Sequence, residues 1–199
     1  MPTNTRDLTA LIGSRICHDL ISPLGAIGNG VELMELSGMG DLPEMALISE
    51  SVQNANLRIR FFRIAFGAAN SEQRVAESEI RTVLAPNADG RKIEINWTPV
   101  GDQSRAAVKL AFLIIQCMET SMPWGGRLEI EETDGHWRIW GEAEKLRVDP
   151  SLWALLEADD DEAEVSPAQV HFALIAPELK RQGRTACVTL ADHSVSVSF

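Results

Sequence analysis

Between residues 7 and 37 apolar side chains recur every three or four positions, at Leu8, Leu11, Ile12, Ile16, Leu20, Leu24, Ile27, Val31 and Met34. That spacing keeps one face of an α-helix apolar. Gly38-Met39-Gly40 interrupts it. Asp41, with Glu44 three residues on, predicts a capping-box-like start for a second helix, and Pro43 is tolerated in a first turn. The second stripe, Met45, Ile48, Val52, Ala55, Ile59, Phe62 and Phe66, is widened by Leu57, Phe61 and Ile64. So short a connection makes the two helices antiparallel. At 1.5 Å per residue each is roughly 40–45 Å long. One hairpin cannot bury both stripes and the widening residues, so the pattern predicts a homodimer whose two hairpins form a four-helix bundle.

After Gly67-Ala68-Ala69-Asn70 the texture changes. Residues 71–84 pattern as a helix, and Lys92–Thr98 alternates as a strand with Ile93, Ile95 and Trp97 on one side. Residues 103–121 predict an apolar helix. Arg127–Glu132 and Trp137–Glu142 read as a hairpin around Asp134-Gly135. Pro167–Gln182 reads as a helix, and Thr185–Leu190 with Ser194–Phe199 as a closing hairpin through Asp192-His193. The expected fold class is α+β: a helical hairpin over residues 1–69, then an α/β sandwich over residues 70–199 with mixed or antiparallel strands and helices on one face. There are no internal repeats.

Charge narrows the function. The chain of 199 residues carries a net charge of −11, which argues against non-specific nucleic-acid binding and against an anionic membrane surface. Most of the excess lies in residues 70–199, including the run Asp159-Asp160-Asp161-Glu162-Ala163-Glu164, which reads as a solvated loop. It lacks the glycine and terminal bidentate glutamate of a calcium loop. The longest solid apolar run is Leu110–Ile115, far short of the roughly 20 residues that span a bilayer. With no charged and then apolar leader, the expectation is a soluble, cytoplasmic protein. Cys17, Cys117 and Cys187 are widely spaced, which suits neither a disulfide framework nor a structural zinc site.

Candidate chemistry centres on His18. It stands two residues from both Ile16 and Leu20, about 200° around the helix, and so points away from the stripe. Ser14 and Ser22 lie one turn to either side and Gly25 continues that face, leaving room for a bulky partner. Pro23 cannot donate to the carbonyl of Asp19 and crowds it, which predicts a local loosening beside the histidine. A neutral imidazole offers one nitrogen lone pair as a nucleophile. Asp19 is the candidate to hold the proton-bearing nitrogen and offset positive charge, reaching sideways to do so. Ser22 reads either as a plain exposed serine or as a group that orients water or a phosphoryl oxygen. Folding the hairpin about Met39 sets Arg60 and Arg63 near the height of His18, with Arg58 and Arg15 close by. These arginines either solvate the helices or dock an acidic partner. Cys17 adjoins His18 and reads as a small buried residue, with a thiol nucleophile as the lesser alternative. His136, His171 and His193 show no ligand spacing.

The stretch His18-Asp19-Leu20-Ile21-Ser22-Pro23-Leu24 resembles the phosphoacceptor box of bacterial sensor histidine kinases, and the order of elements after Asn70 resembles their ATP-binding domain. The nucleotide motifs of that domain are missing. The helix over 103–121 carries Ala106, Lys109, Phe112, Gln116 and Glu119 but no asparagine, and no D-x-G-x-G follows. Gly25-x-x-Gly28-x-Gly30 is preceded by no strand and reads as helix-packing glycines. Together with Cys17–Gly30, Leu57–Ala69 and Met122-Pro123-Trp124-Gly125-Gly126, this identifies the chain as similar to the ChpT-type histidine phosphotransferases. The resemblance implies a degenerate kinase-ATPase-like second domain and a shuttle. His18 would accept phosphate from a receiver domain of a hybrid kinase and pass it to a response-regulator receiver. It implies no nucleotide, metal or other cofactor of the chain's own, since Mg2+ would belong to the receiver. A divergent kinase with cryptic ATP binding and a non-catalytic receiver-docking adaptor are the alternatives.

Overall fold

A computed structural model describes residues 8–39, 42–70, 72–85, 92–158 and 165–199. Backbone contacts divide the chain into two units, one ending at Ala68 and the other starting at Ala69.

The first unit is a helical hairpin. Helix α1 spans Leu8–Met34 and remains helical through Pro23. A single π-turn, Glu35–Met39, follows, and Gly38 takes a φ of 87°, a left-handed conformation that a side chain would resist. Helix α2 spans Pro43–Phe66, with Pro43 in its first turn and Leu42 as N-cap without a side-chain cap bond. The Asp41 half of the anticipated capping box lies outside the described residues. Contacts near both ends fix the antiparallel register. A β-carbon on Gly13 would lie 3.1 Å from the carbonyl oxygen of Phe66, and one on Gly28 would lie 3.5 Å from Cγ1 of Val52. Gly28 thus packs against α2, whereas a β-carbon on Gly25 or Gly30 would meet nothing of this chain within 4 Å.

The apolar surface of α1 divides into two stripes. Ala10, Cys17 and Val31 are buried, together with Met45, Ile59, Phe61, Ile64 and Ala65 of α2. Ile16 and Leu20, expected to point inward, are 54% and 46% exposed. They belong to a second stripe with Ile12 and Ile27, offset around the helix from the first. A single neighbouring helix covers only one of the two. Leu47 and Ile48 of α2 are exposed as well.

The second unit pairs a five-stranded sheet with helices. Its strands are β2 (Ile93–Trp97), β4 (Gly126–Thr133), β5 (His136–Glu142), β6 (Cys187–Leu190) and β7 (Ser194–Ser198), in the order β2-β4-β5-β7-β6. Only β2 and β4 run parallel, so the sheet is mixed. The short strands β1 (Arg74–Val75) and β3 (Gln103–Ser104) pair separately. Residues 71–84, expected as one helix, hold β1 and then α3 (Glu77–Leu84). Alternation decides the faces: Ile95, Trp97, Leu128, Ile130, Ile139, Val195 and Val197 are buried, with α4 (Arg105–Ser121) buried on almost every side. The β4–β5 turn places Asp134 at φ 52° and Gly135 at φ 84°, the two positive values of the type I′ turn that Asp-Gly predicts.

Two local differences have sequence causes. Asp149 caps a short helix α5 (Pro150–Ala154) by accepting from the Ser151 N–H at 3.0 Å, an element too short to show a periodic pattern. The single helix expected over Pro167–Gln182 is instead a 3-10 turn (Pro167–Gln169), α6 (Val170–Ala173) and α7 (Ile175–Arg181). Pro177 cannot donate to the carbonyl of Ala173 and its ring crowds that oxygen, so the helix breaks between α6 and α7. The acidic run over 159–164 lies outside the described residues.

Helices α4 and α7 share a buried ion pair. Lys109 Nζ sits 3.1 Å from Glu178 Oε2, with side chains 6% and 3% exposed. Arg181 also pairs with Glu178, and Gln182 donates both to Glu178 Oε1 at 2.8 Å and to the carbonyl of Ala106 at 2.9 Å. Removing Lys109 leaves Glu178 with Arg181 and Gln182 but takes away its buried cation, whereas replacing both Lys109 and Glu178 by apolar groups removes the desolvation cost as well. Lys109→Ala should therefore lower unfolding stability by about 1–3 kcal/mol, and Lys109→Met with Glu178→Met should recover most of the loss. Denaturant titration of the three proteins measures this.

Candidate functional site

Burial of Cys17 sets the orientation of its neighbour. Successive helix residues turn by about 100°, and His18 emerges with its side chain 83% exposed. Its Nδ1 lies 3.2 Å from Oδ1 of Asp19. A carboxylate only accepts, so in this geometry Nδ1 is the donor, and Nε2 is the nitrogen that carries the lone pair when the ring is neutral. The other oxygen of Asp19, Oδ2, accepts from Nε of Arg15 at 2.8 Å. The hydrogen bond from His18, and after it that from Arg15, holds the Asp19 carboxyl below the usual carboxylate range. Asp19 is thus an acceptor throughout the neutral range, and the sideways reach required of it is made.

The remaining candidates divide. Ser22 is exposed one turn beyond His18. Ser14, anticipated on the same open face, is half-buried and its hydroxyl oxygen accepts the backbone N–H of Ala68 at 3.0 Å, linking α1 to the end of α2. The hairpin contacts place His18 between the levels of Arg60 and Arg63. Both arginines are exposed, and the charge of Arg63 reaches the thiol of Cys17. Arg58 lies over the rings of Phe61 and Phe62, at 5.3 and 4.8 Å from their centroids. Arg15, grouped with the docking residues by the sequence, is also the partner of Asp19. The signal was present in the chain, because residues four apart on a helix face each other.

Among the described residues the other histidines lie apart from this cluster. His171 is buried with Nε2 3.1 Å from Oγ1 of Thr120, and His193 Nδ1 lies 3.1 Å from the carbonyl of Glu144. Among the described residues no group of three or more His, Cys, Asp or Glu side chains could hold a metal ion. None of the described helices is long and apolar enough to cross a membrane.

A carboxylate-paired histidine standing out from a helical hairpin, followed by a mixed α/β unit, defines the class, and comparison with known proteins agrees. Residues 77–194 match the family described as the histidine phosphotransferase C-terminal domain. Protein phosphotransferase ChpT of Brucella abortus (strain 2308) is 36% identical over 180 residues, covering 86% of each chain. A solved bacterial phosphotransferase aligns over 100% of this chain and 98% of its own, at 26% identity and a TM-score of 0.66. The chain belongs to the ChpT-type histidine phosphotransferases.

The neighbouring thiol is a testable bystander. Burial pushes the Cys17 thiol up despite the opposing pull of Arg63, and burial pushes Cys117 up much further. A raised thiol has less thiolate at a given pH and reacts more slowly. In native protein at pH 8, DTNB should modify the exposed Cys187 first and reach Cys17 and Cys117 only on unfolding. Rapid labelling of a Cys187→Ser variant would restore a reactive thiol beside His18.

Proposed function

We propose that this protein carries phosphoryl groups in a phosphorelay. It accepts them on His18 from a receiver-domain aspartyl phosphate and returns them to the aspartate of a response-regulator receiver. The observation that carries the reading is the exposed imidazole whose Nδ1 is engaged by Asp19 at 3.2 Å. In the forward step the lone pair of Nε2 forms an N–P bond while the acyl O–P bond breaks, and its electrons leave on the receiver carboxylate. Nδ1 keeps its proton, and the carboxylate of Asp19 offsets the charge that develops on the ring. The return step runs through the same atoms. Acyl phosphate and phosphoramidate are both high-energy, so the exchange is near balance and catalysis is mostly positioning and charge compensation. Mg2+ and the remaining catalytic groups belong to the receiver. Ser22, exposed one turn beyond His18, would orient a phosphoryl oxygen or a water.

Arg60 and Arg63, exposed near the level of His18 in a chain of net charge −11, would dock an acidic receiver surface. The exposed stripe of Ile12, Ile16, Leu20 and Ile27, with Leu47 and Ile48, supports a homodimer in which a second hairpin completes a four-helix bundle. An α4 without asparagine, its Lys109 tied to Glu178, supports phosphate entering from a receiver and not from ATP. The cytoplasm, where receivers reside, is the corresponding compartment.

Label supplied as a phosphorylated receiver should move to this protein in an acid-labile, base-stable form and should not move to His18→Ala. Label retained by that variant would refute the site. Arg60→Ala and Arg63→Ala should slow transfer at subsaturating receiver and spare it at saturation. For the dimer, Ile12→Asp with Ile27→Asp should change the mass measured by light scattering from twice 21.8 kDa to 21.8 kDa.

A further inference from the structure

We propose that Arg15 is a positioning residue for phosphoryl transfer: by holding one oxygen of Asp19 it aims the other at Nδ1 of His18, which keeps Nε2 as the attacking nitrogen. The inference rests on the reading of His18 as the phosphoacceptor and deepens it.

The geometry is a relay of three side chains. Nε of Arg15 donates to Oδ2 of Asp19 at 2.8 Å, and Oδ1 of that carboxylate meets Nδ1 of His18 at 3.2 Å. Adjacent helical residues diverge by about 100°, so nothing in the backbone directs Asp19 toward His18. An exposed aspartate left alone samples several rotamers and offers its carboxylate to water. Arg15, one turn earlier, does face Asp19. Anchoring Oδ2 restricts the carboxylate to the rotamer in which Oδ1 reaches the ring. The two oxygens are divided between two donors, so Arg15 and His18 do not compete for one lone pair.

Energetics separate this role from a structural one. All three side chains are exposed, and a solvated i,i+4 ion pair contributes little to folding stability. What Arg15 controls is the distribution of a proton between two ring nitrogens, because only the Nδ1–H tautomer is stabilised by the aimed carboxylate. The guanidinium also draws charge from Asp19 and discourages it from taking the Nδ1 proton, so it stays an acceptor. In the transfer step Arg15 neither gives nor receives a proton. The N–P bond forms at Nε2, the donor's bond to phosphorus breaks with its electrons on the leaving group, and Nδ1–H remains bonded to Asp19.

A small donor separates positioning from partner docking. Phosphoramidate delivers its phosphoryl group to an imidazole as the N–P bond to its own nitrogen breaks and ammonia departs, with no receiver surface involved. Phosphorylation of His18 in the full chain would be followed by 31P NMR over a range of phosphoramidate concentrations, and the ring tautomer by 15N chemical shifts. Arg15→Ala should lower the maximal rate by about fivefold at unchanged half-saturation, the scale expected for losing one orienting contact. It should also move the ring nitrogens toward the Nε2–H form. Arg15→Lys, which restores a donor to Asp19, should recover most of the rate. In the Asp19→Ala background Arg15→Ala should have no further effect, because its influence passes through Asp19. An equal loss in that background, a raised half-saturation with an unchanged maximum, or unaltered 15N shifts would each overturn the proposal. Phosphoryl uptake by His18→Ala would overturn the phosphoacceptor reading instead. An inert His18→Ala beside a fully active Arg15→Ala would overturn this inference alone.

Discussion

The close approach of α1 to α2 is the constraint on which the site depends. Gly13 lies tight against Phe66, and Gly28 lies in ordinary contact with Val52, which together give the register of the hairpin. Within that register Cys17 is buried. A helix cannot bury one residue and its immediate successor on the same face, so burying Cys17 turns His18 outward. The same register sets Arg60 and Arg63 on either side of the histidine's level. Exposure of His18 is therefore a consequence of backbone packing some distance away. A residue larger than glycine at position 13 would have to displace the backbone of Phe66, and with it the alignment of the arginines.

The second unit makes a different use of the same physics. Its core is apolar, with Trp97 and Trp137 at 5.4 Å, and Trp137 and Phe199 stacked at 6.1 Å between ring centroids. Gly141 sits where a β-carbon would lie 2.7 Å from Leu128, so sheet and core meet without slack. Helix α4 contains no asparagine, and its buried Lys109 pairs with Glu178. The buried Lys109 and Glu178 of this unit offset each other, whereas Arg15, His18 and Asp19 of the hairpin are turned toward solvent, which fits the proposed function, in which the hairpin reacts.

Much of this was legible in the chain because the elements repeat with a clear period. The two long helices, the alternation of β2, and the β4–β5 turn at Asp134-Gly135 each have a local signature, and the structure follows them. What escaped has physical reasons. Helical periodicity does not say which of two adjoining stripes the neighbouring helix covers: the hairpin buries Ala10, Cys17 and Val31 and leaves Ile16 and Leu20 to the second hairpin that the pattern predicts. The break between α6 and α7 was written in Pro177, whose clash falls four residues upstream. Ser14 was placed by its helix face alone, and its bond to Ala68 depends on where α2 ends. The site was more legible than its wiring: His18 and Asp19 are neighbours in sequence, but the role of Arg15 emerges only when both oxygens of Asp19 are followed to their donors.

On the proposed function, the sparseness of the site is itself explained by energetics. A kinase must lower the barrier to breaking an unactivated phosphoanhydride, and needs metal, nucleotide cradle and lid to do so. A shuttle between acyl phosphate and phosphoramidate begins and ends at high-energy bonds, so it must avoid a deep minimum at the histidine more than it must stabilise a difficult transition state. A heavily buried, multiply bonded phosphohistidine would hold its cargo too well. An exposed ring with one carboxylate at Nδ1, itself restrained by one guanidinium, supplies orientation and a single balancing charge while leaving the phosphoryl face open to whichever receiver approaches. Exposure at His18 is on this argument a requirement of two-way transfer, and the packing of Cys17 beneath it is what maintains that exposure.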